Sequence, residues 1–89
     1  MISQSTEKTP SLRVNIRSRN KTFFNGPAYS VTSHNEVGDF DVLPLHANFV
    51  TLVMKSIVVD KGLSTELEIP IDKGVLYVQN DVVDGYIGV

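Results

Sequence analysis

His34 and His46 are the only two histidines of this chain, and Asp39 and Asp41 lie between them in the stretch HNEVGDFDVLPLHA. Imidazoles and carboxylates are ligands that zinc accepts, but their intervals here match neither the helical nor the short-loop spacing of a zinc site, and a solvated turn accounts for them. Serine, histidine and aspartate all occur, yet there is no Gly-x-Ser-x-Gly elbow and nothing sets a serine beside a base. Glu66 and Glu68 share one face of an alternating segment, as the outer side of an exposed strand requires without catalysis. No Gly-x-x-x-x-Gly-Lys-Ser/Thr or Gly-x-Gly-x-x-Gly run offers a phosphate cradle. Arg13, Arg17, Arg19 and Lys21 place four cations within nine residues, next to Phe23 and Phe24. Such a stripe could support a single-stranded nucleic acid, but it equally supplies the polar side of a half-buried strand. Asn20-Lys21-Thr22 is a formal glycosylation sequon that reads as a turn.

The elements that must carry these residues are strands. Leu12, Val14 and Ile16 alternate with Arg13, Asn15 and Arg17, a period of two that puts one side of a strand in the core. Lys21–Asn25 follows a turn, and Gly26-Pro27 is expected to break it. Tyr29, Val31 and Ser33 form the next alternation, residues 34–38 a polar turn, and Phe40 and Val42 the one after. Phe49–Val53 is apolar on both faces, as a strand buried on both sides would be. Short strands are expected at Ile57–Val59, at Leu67–Ile71 and, past an Asp72-Lys73-Gly74 turn, at Val75–Val78, with a last one from Val82. Pro70 cannot donate to a ladder, so its strand belongs at an edge or a bulge. Turn signals every 8–12 residues and no sustained helical period predict an all-β fold, a sandwich or flattened barrel.

With 89 residues, 42% hydrophobic and 20% charged, the chain suits one globular domain, residues 11–89, behind a loose arm at 1–10. There is no cysteine, so neither disulfides nor thiolate metal sites stabilise it. A net charge of −2 argues against broad charge-driven binding to nucleic acid or anionic lipid. No apolar run nears the ~20 residues that span a bilayer, and MISQSTEKTP has no signal-peptide core.

Leu12-Arg13-Val14-Asn15-Ile16, Phe24-Asn25-Gly26, Tyr29-Ser30-Val31-Thr32 and Gly38-Asp39-Phe40-Asp41-Val42-Leu43-Pro44-Leu45-His46-Ala47 resemble, in order and spacing, the N-terminal domain of the F-type ATP synthase epsilon subunit. Asp72-Lys73-Gly74-Val75-Leu76-Tyr77-Val78 and Asn80-Asp81-Val82 continue the resemblance, which covers Leu12 to Ile87. Asp41 and Leu45 stand where that family usually has glycines, Asn48 replaces a proline, Lys73 replaces the first of two glycines, and Lys55-Ser56 is what remains of a Lys-Pro-Gly turn. The family's second domain, a helical hairpin, has no counterpart here, so a short subunit or the first domain alone is expected.

The resemblance implies a flattened β-sandwich of about ten short strands. It implies a rotor subunit without catalytic residues of its own, in the central stalk of a proton-transporting ATP synthase. The partners implied are the gamma subunit and the c-ring, on the cytoplasmic face of an energy-transducing inner membrane and without membrane insertion. Asp39, Asp41, Pro44 and His46 would meet the c-ring; Ser18, Arg19, Asn48, Phe49, Val50 and Thr51 would meet gamma. No metal or other cofactor is implied, and no ATP binding, which in the family depends on the helical hairpin. Three further expectations follow. Asp39, Asp41 and His46 should be exposed while Phe40 and Val42 turn inward. An apolar patch should lie open near Phe49 or Val50. An arginine at Thr51 should spare the fold but weaken the grip on gamma. The competing readings are a carbohydrate- or peptide-binding module with a groove lined by Tyr29, Tyr77 and Tyr86, and a hydrolase or lyase on a jelly-roll scaffold.

Overall fold

The computed structural model describes residues 9–45 and 48–88. Seven strands build the domain: β1 Leu12–Arg17, β2 Thr22–Ala28, β3 Val31–Asn35, β4 Gly38–Val42, β5 Phe49–Val59, β6 Leu67–Gln79 and β7 Val82–Ile87. They form one hydrogen-bonded sheet in the order β2-β1-β7-β6-β5-β3-β4. All pairs are antiparallel except β1 with β7. The described residues contain no helix.

The strands are fewer and longer than expected because two of them do not stop where the sequence signals a turn. β5 runs through Lys55-Ser56, and β6 runs through Asp72-Lys73-Gly74. Met54 pairs with Lys73 and Lys55 with Ile71, so Asp72 is the extra residue of a bulge. Lys55, opposite it, is left-handed at φ 74°. A bulge bends and twists a strand without ending it. The sheet divides at this crease. On one side Gly74–Gln79 of β6 pairs with β7, and on the other Met54–Val59 of β5 pairs with β3. Both long strands therefore belong to two layers, β2-β1-β7-β6-β5 and β4-β3-β5-β6.

The core lies between those layers. Leu12, Val14, Ile16, Val53, Leu76, Val78 and Val83 from the first meet Val31, Val42, Ile57, Val59 and Ile69 from the second in one cluster. Each Val, Leu or Ile so buried contributes about 1.5–3 kcal/mol. Gly74 sits where β6 leaves the bulge, and a Cβ there would stand 2.5 Å from the Tyr86 carbonyl oxygen of β7. Asp60, buried and left-handed at φ 55°, accepts from the backbone N–H of Tyr29 (2.7 Å) and Ser30 (3.3 Å) and from the Thr65 hydroxyl (2.7 Å). It thereby ties the β2–β3 connection to the β5–β6 loop.

Open edges are blunted by charge and proline. β2 pairs only with β1, so it carries Pro27, and the break expected at Gly26-Pro27 does not occur. β4, the other margin, carries Asp39 and Asp41, and the half of β6 with Glu68 and Pro70 pairs only with β5.

Candidate docking surfaces

The corner between β4 and β5 begins with a clean alternation. Asp39 and Asp41 are exposed, Phe40 is half-buried and Val42 fully buried. Phe40 meets Phe49 edge to face, with ring centroids 6.0 Å apart. Pro44 is exposed, and His46 lies outside the described residues. Leu45 takes φ 67°, a left-handed conformation that costs a side-chain-bearing L-residue about 1–2 kcal/mol. The corner is fastened to the β6–β7 turn, a link the sequence does not reveal. Leu45 N–H donates to Asp81 Oδ1 (2.7 Å), and Asn80 N–H donates to Asn48 Oδ1 (2.9 Å). Asp81 also accepts from Arg13 N–H through its carbonyl at 2.9 Å. Asn80 and Asp81 both have positive φ, 52° and 66°, as the two central residues of a type I′ hairpin must.

Neither corner carboxylate stands alone. Thr32 Oγ1–H donates to Asp41 Oδ1 at 2.6 Å. Asp39 pairs with Nδ1 of His34, which lies in β3 and not in a turn, and Nε2 of the same ring is 3.3 Å from Ser56 Oγ. The imidazole bridges the Asp39 carboxylate through Nδ1 and the Ser56 hydroxyl through Nε2. The order carboxylate, imidazole, hydroxyl is that of a nucleophile triad, and the fold does set a serine beside a base where the spacing suggested none. Ser56 is only 7% exposed, however, and a nucleophile must reach its substrate. The chain of bonds works as a clamp joining β4, β3 and β5. Among the described residues no three His, Cys, Asp or Glu side chains gather as metal ligands would.

The His34 hydrogen bond, then its charge, hold the Asp39 carboxyl below the usual carboxylate range. A depressed folded-state pKa gives stability that is fully present above the unfolded value of about 3.9 and is lost as pH falls through the folded one. The melting-temperature gap between wild type and Asp39→Asn should therefore shrink as the buffer is acidified from about pH 5. Parallel melting curves from neutral pH down to pH 2 would refute the clamp's electrostatic role.

The outer face of the first layer carries open apolar side chains. Cross-strand register sets Val50, Tyr77, Asp84 and Asn15 in one row, and Leu52, Val75, Tyr86 and Arg17 in the next. Val50 is 62% exposed and Leu52 68%, with Tyr77 also open. Tyr77 and Tyr86 meet edge to face at 5.9 Å and, with Val75, Gln79 and Asp84, line a shallow groove of about 520 Å³. The Arg17 guanidinium lies 4.5 Å from the Tyr86 ring centroid and donates to that residue's hydroxyl. Ser18 and Arg19 border a second hollow beyond Tyr86.

Of the residues expected at a gamma contact, Ser18, Arg19 and Val50 thus fall on the rims of this one face. Phe49 and Thr51 point to the other side of β5, and Asn48 is turned to the Asn80 N–H. Thr51 is half-buried, and its hydroxyl accepts from Asn35 Nδ2 at 3.2 Å. An arginine there would disturb the fold as well as any contact, so the informative position is Leu52. Leu52, Val75, Tyr77 and Tyr86 were not singled out for this face by sequence. Tyr29 lies elsewhere, beside a hollow with Leu43, Pro44 and Leu63, so the three tyrosines do not converge on one groove.

Residues 11–84 match the family described as ATP synthase, delta/epsilon chain, beta-sandwich domain. No curated protein matches the sequence. Among solved structures, the fold is similar to a chain of the Euglena gracilis mitochondrial ATP synthase, in a cryo-EM structure of OSCP/F1/c-ring in rotational state 1. The TM-score is 0.77 at 17% identity, over 89% of this chain and 51% of that one. It is also similar to a chain of the Tetrahymena thermophila mitochondrial ATP synthase central stalk/c-ring, with TM-score 0.68 and 12% identity over 92% of this chain and 66% of that one. This chain therefore spans from half to just under two thirds of the length of these structural relatives. At such identities the likeness establishes the fold.

Proposed function

The chain belongs to the family of ATP synthase delta/epsilon β-sandwich domains, and from that membership we propose that it is a non-catalytic subunit of the central stalk in a proton-translocating ATP synthase. It makes and breaks no covalent bond; its work is to join two moving partners, the gamma subunit and the c-ring. The open face around Leu52, Tyr77 and Tyr86 meets gamma. An interface of ordinary size, about 1,200–2,000 Å², has an apolar centre and a polar rim. This face offers both, with Arg17, Ser18 and Arg19 at its margin. The corner with Asp39, Asp41 and Pro44 meets the c-ring, where exposed carboxylates orient the encounter and proline limits the entropy lost on docking.

The observation that carries the reading is the family match over residues 11–84, joined to an outer sheet face more apolar than isolated exposed residues would make it. No helix of the described residues is long and apolar enough to cross a membrane, in keeping with a peripheral subunit held by its partners. No nucleotide role is assigned. The test is capture: the tagged chain, expressed in cells that make an ATP synthase, is purified from solubilised energy-transducing membranes, and co-purifying subunits are identified by mass spectrometry. Gamma and c subunits in stoichiometric yield are expected. Recovery without them overturns the reading.

A further inference from the structure

Leu45 combines a strained backbone with an exposed apolar side chain. Its backbone is left-handed, at φ 67°, where glycine and asparagine are at ease and a leucine is strained. Its side chain is 91% exposed, so the free chain gains almost no burial in return. The conformation is held by the Leu45 N–H bond to Asp81 Oδ1, and Asp81 is itself anchored to β1 through Arg13 N–H. Other apolar groups stand open nearby in the fold: Leu43 is exposed in the same corner, and Leu63 shares a hollow with Leu43 and Pro44. Val37 is as exposed as Leu45 but sits at a hairpin tip without positive φ, the scattered exposure any surface shows.

Strain that persists where the side chain gains nothing at home points to a gain elsewhere. We propose that Leu45 is a prong that enters an apolar socket on the partner facing the corner. The inference rests on the central-stalk reading above, in which that partner is the c-ring. It adds that the contact is apolar at its centre, with the carboxylates of Asp39 and Asp41 orienting it from outside. Seating a leucine that the free chain leaves in water removes its apolar surface from solvent, which favours the docked state.

Three variants separate the two halves of the idea. Leu45→Gly removes the strain and the prong together, Leu45→Asn keeps a residue that tolerates left-handed geometry but is polar, and Leu45→Met keeps an apolar tip. Each is melted alone and titrated against detergent-solubilised c-ring in an optical binding assay. Leu45→Gly is expected to raise the melting temperature by ~4–8 °C while weakening c-ring binding by ~10-fold or more. The asparagine variant should lose binding equally, and the methionine variant should stay within about three-fold of wild type. A glycine variant that melts no higher than wild type, or one that binds the c-ring as tightly, overturns the prong. Wild-type chain that does not bind the c-ring at all overturns the c-ring contact itself, and the prong with it.

Discussion

Leu52→Arg is expected to weaken binding to purified gamma subunit by about 100-fold and to leave the free chain's stability within about 0.5 kcal/mol of wild type. The second half of that expectation follows from exposure: Leu52 is 68% open and points away from the core, so the free chain places a guanidinium there in water. The first half follows from position. Leu52 is aligned with Val75 and Tyr86 and lies one row from Val50 and Tyr77, within the apolar part of the face. Docking would strip water from the new charge, which finds Arg17 already committed to Tyr86 and gains no carboxylate in its own row. Titration calorimetry with gamma, beside a urea melt of each variant, gives both numbers. Unchanged affinity with an intact fold would move the gamma contact off this face.

Gly74→Ala is expected to cost about 3 kcal/mol, the upper end for overfilling a packed interior. The added methyl would lie 2.5 Å from the Tyr86 carbonyl oxygen, and that atom is backbone, so no rotamer change relieves the clash. β6 and β7 must part at Gly74↔Ile87, next to the bond from Gly88 N–H to the Lys73 carbonyl. Domains of this size are stable by only about 5–15 kcal/mol, so the loss is a large fraction. A urea midpoint near that of wild type would show that the sheet gives way more easily than its geometry implies. Lys73 differs because its side chain is exposed, which is why only the second position of that pair demands glycine.

The sequence made the first strand legible because one side of β1 is core and the other is not: Leu12, Val14 and Ile16 are buried as their alternation requires. The strand count was not legible, since a bulge and a tight turn use the same residues, and Asp72-Lys73-Gly74 serves equally well for either. Phe49–Val53 reads as buried on both faces, yet Val50 and Leu52 are open. An apolar residue meant for a partner looks in sequence like one meant for the core. The Asp39–His34–Ser56 clamp was hidden for another reason. Its members lie 5 and 22 positions apart, and only the register of β3 on β4 and β5 brings them together.

The crease at Lys55 and Asp72 has a mechanical consequence. In a sandwich of two separate sheets, sliding one over the other is opposed only by side-chain contacts, each worth about 0.1–0.2 kcal/mol per atom pair. Here β5 and β6 pass without interruption from layer to layer. A shear load entering at the face around Leu52 therefore reaches the opposite layer along two covalent backbones cross-braced by their own ladder. The two backbones join the layers into one folded leaf, with the bulge as its crease.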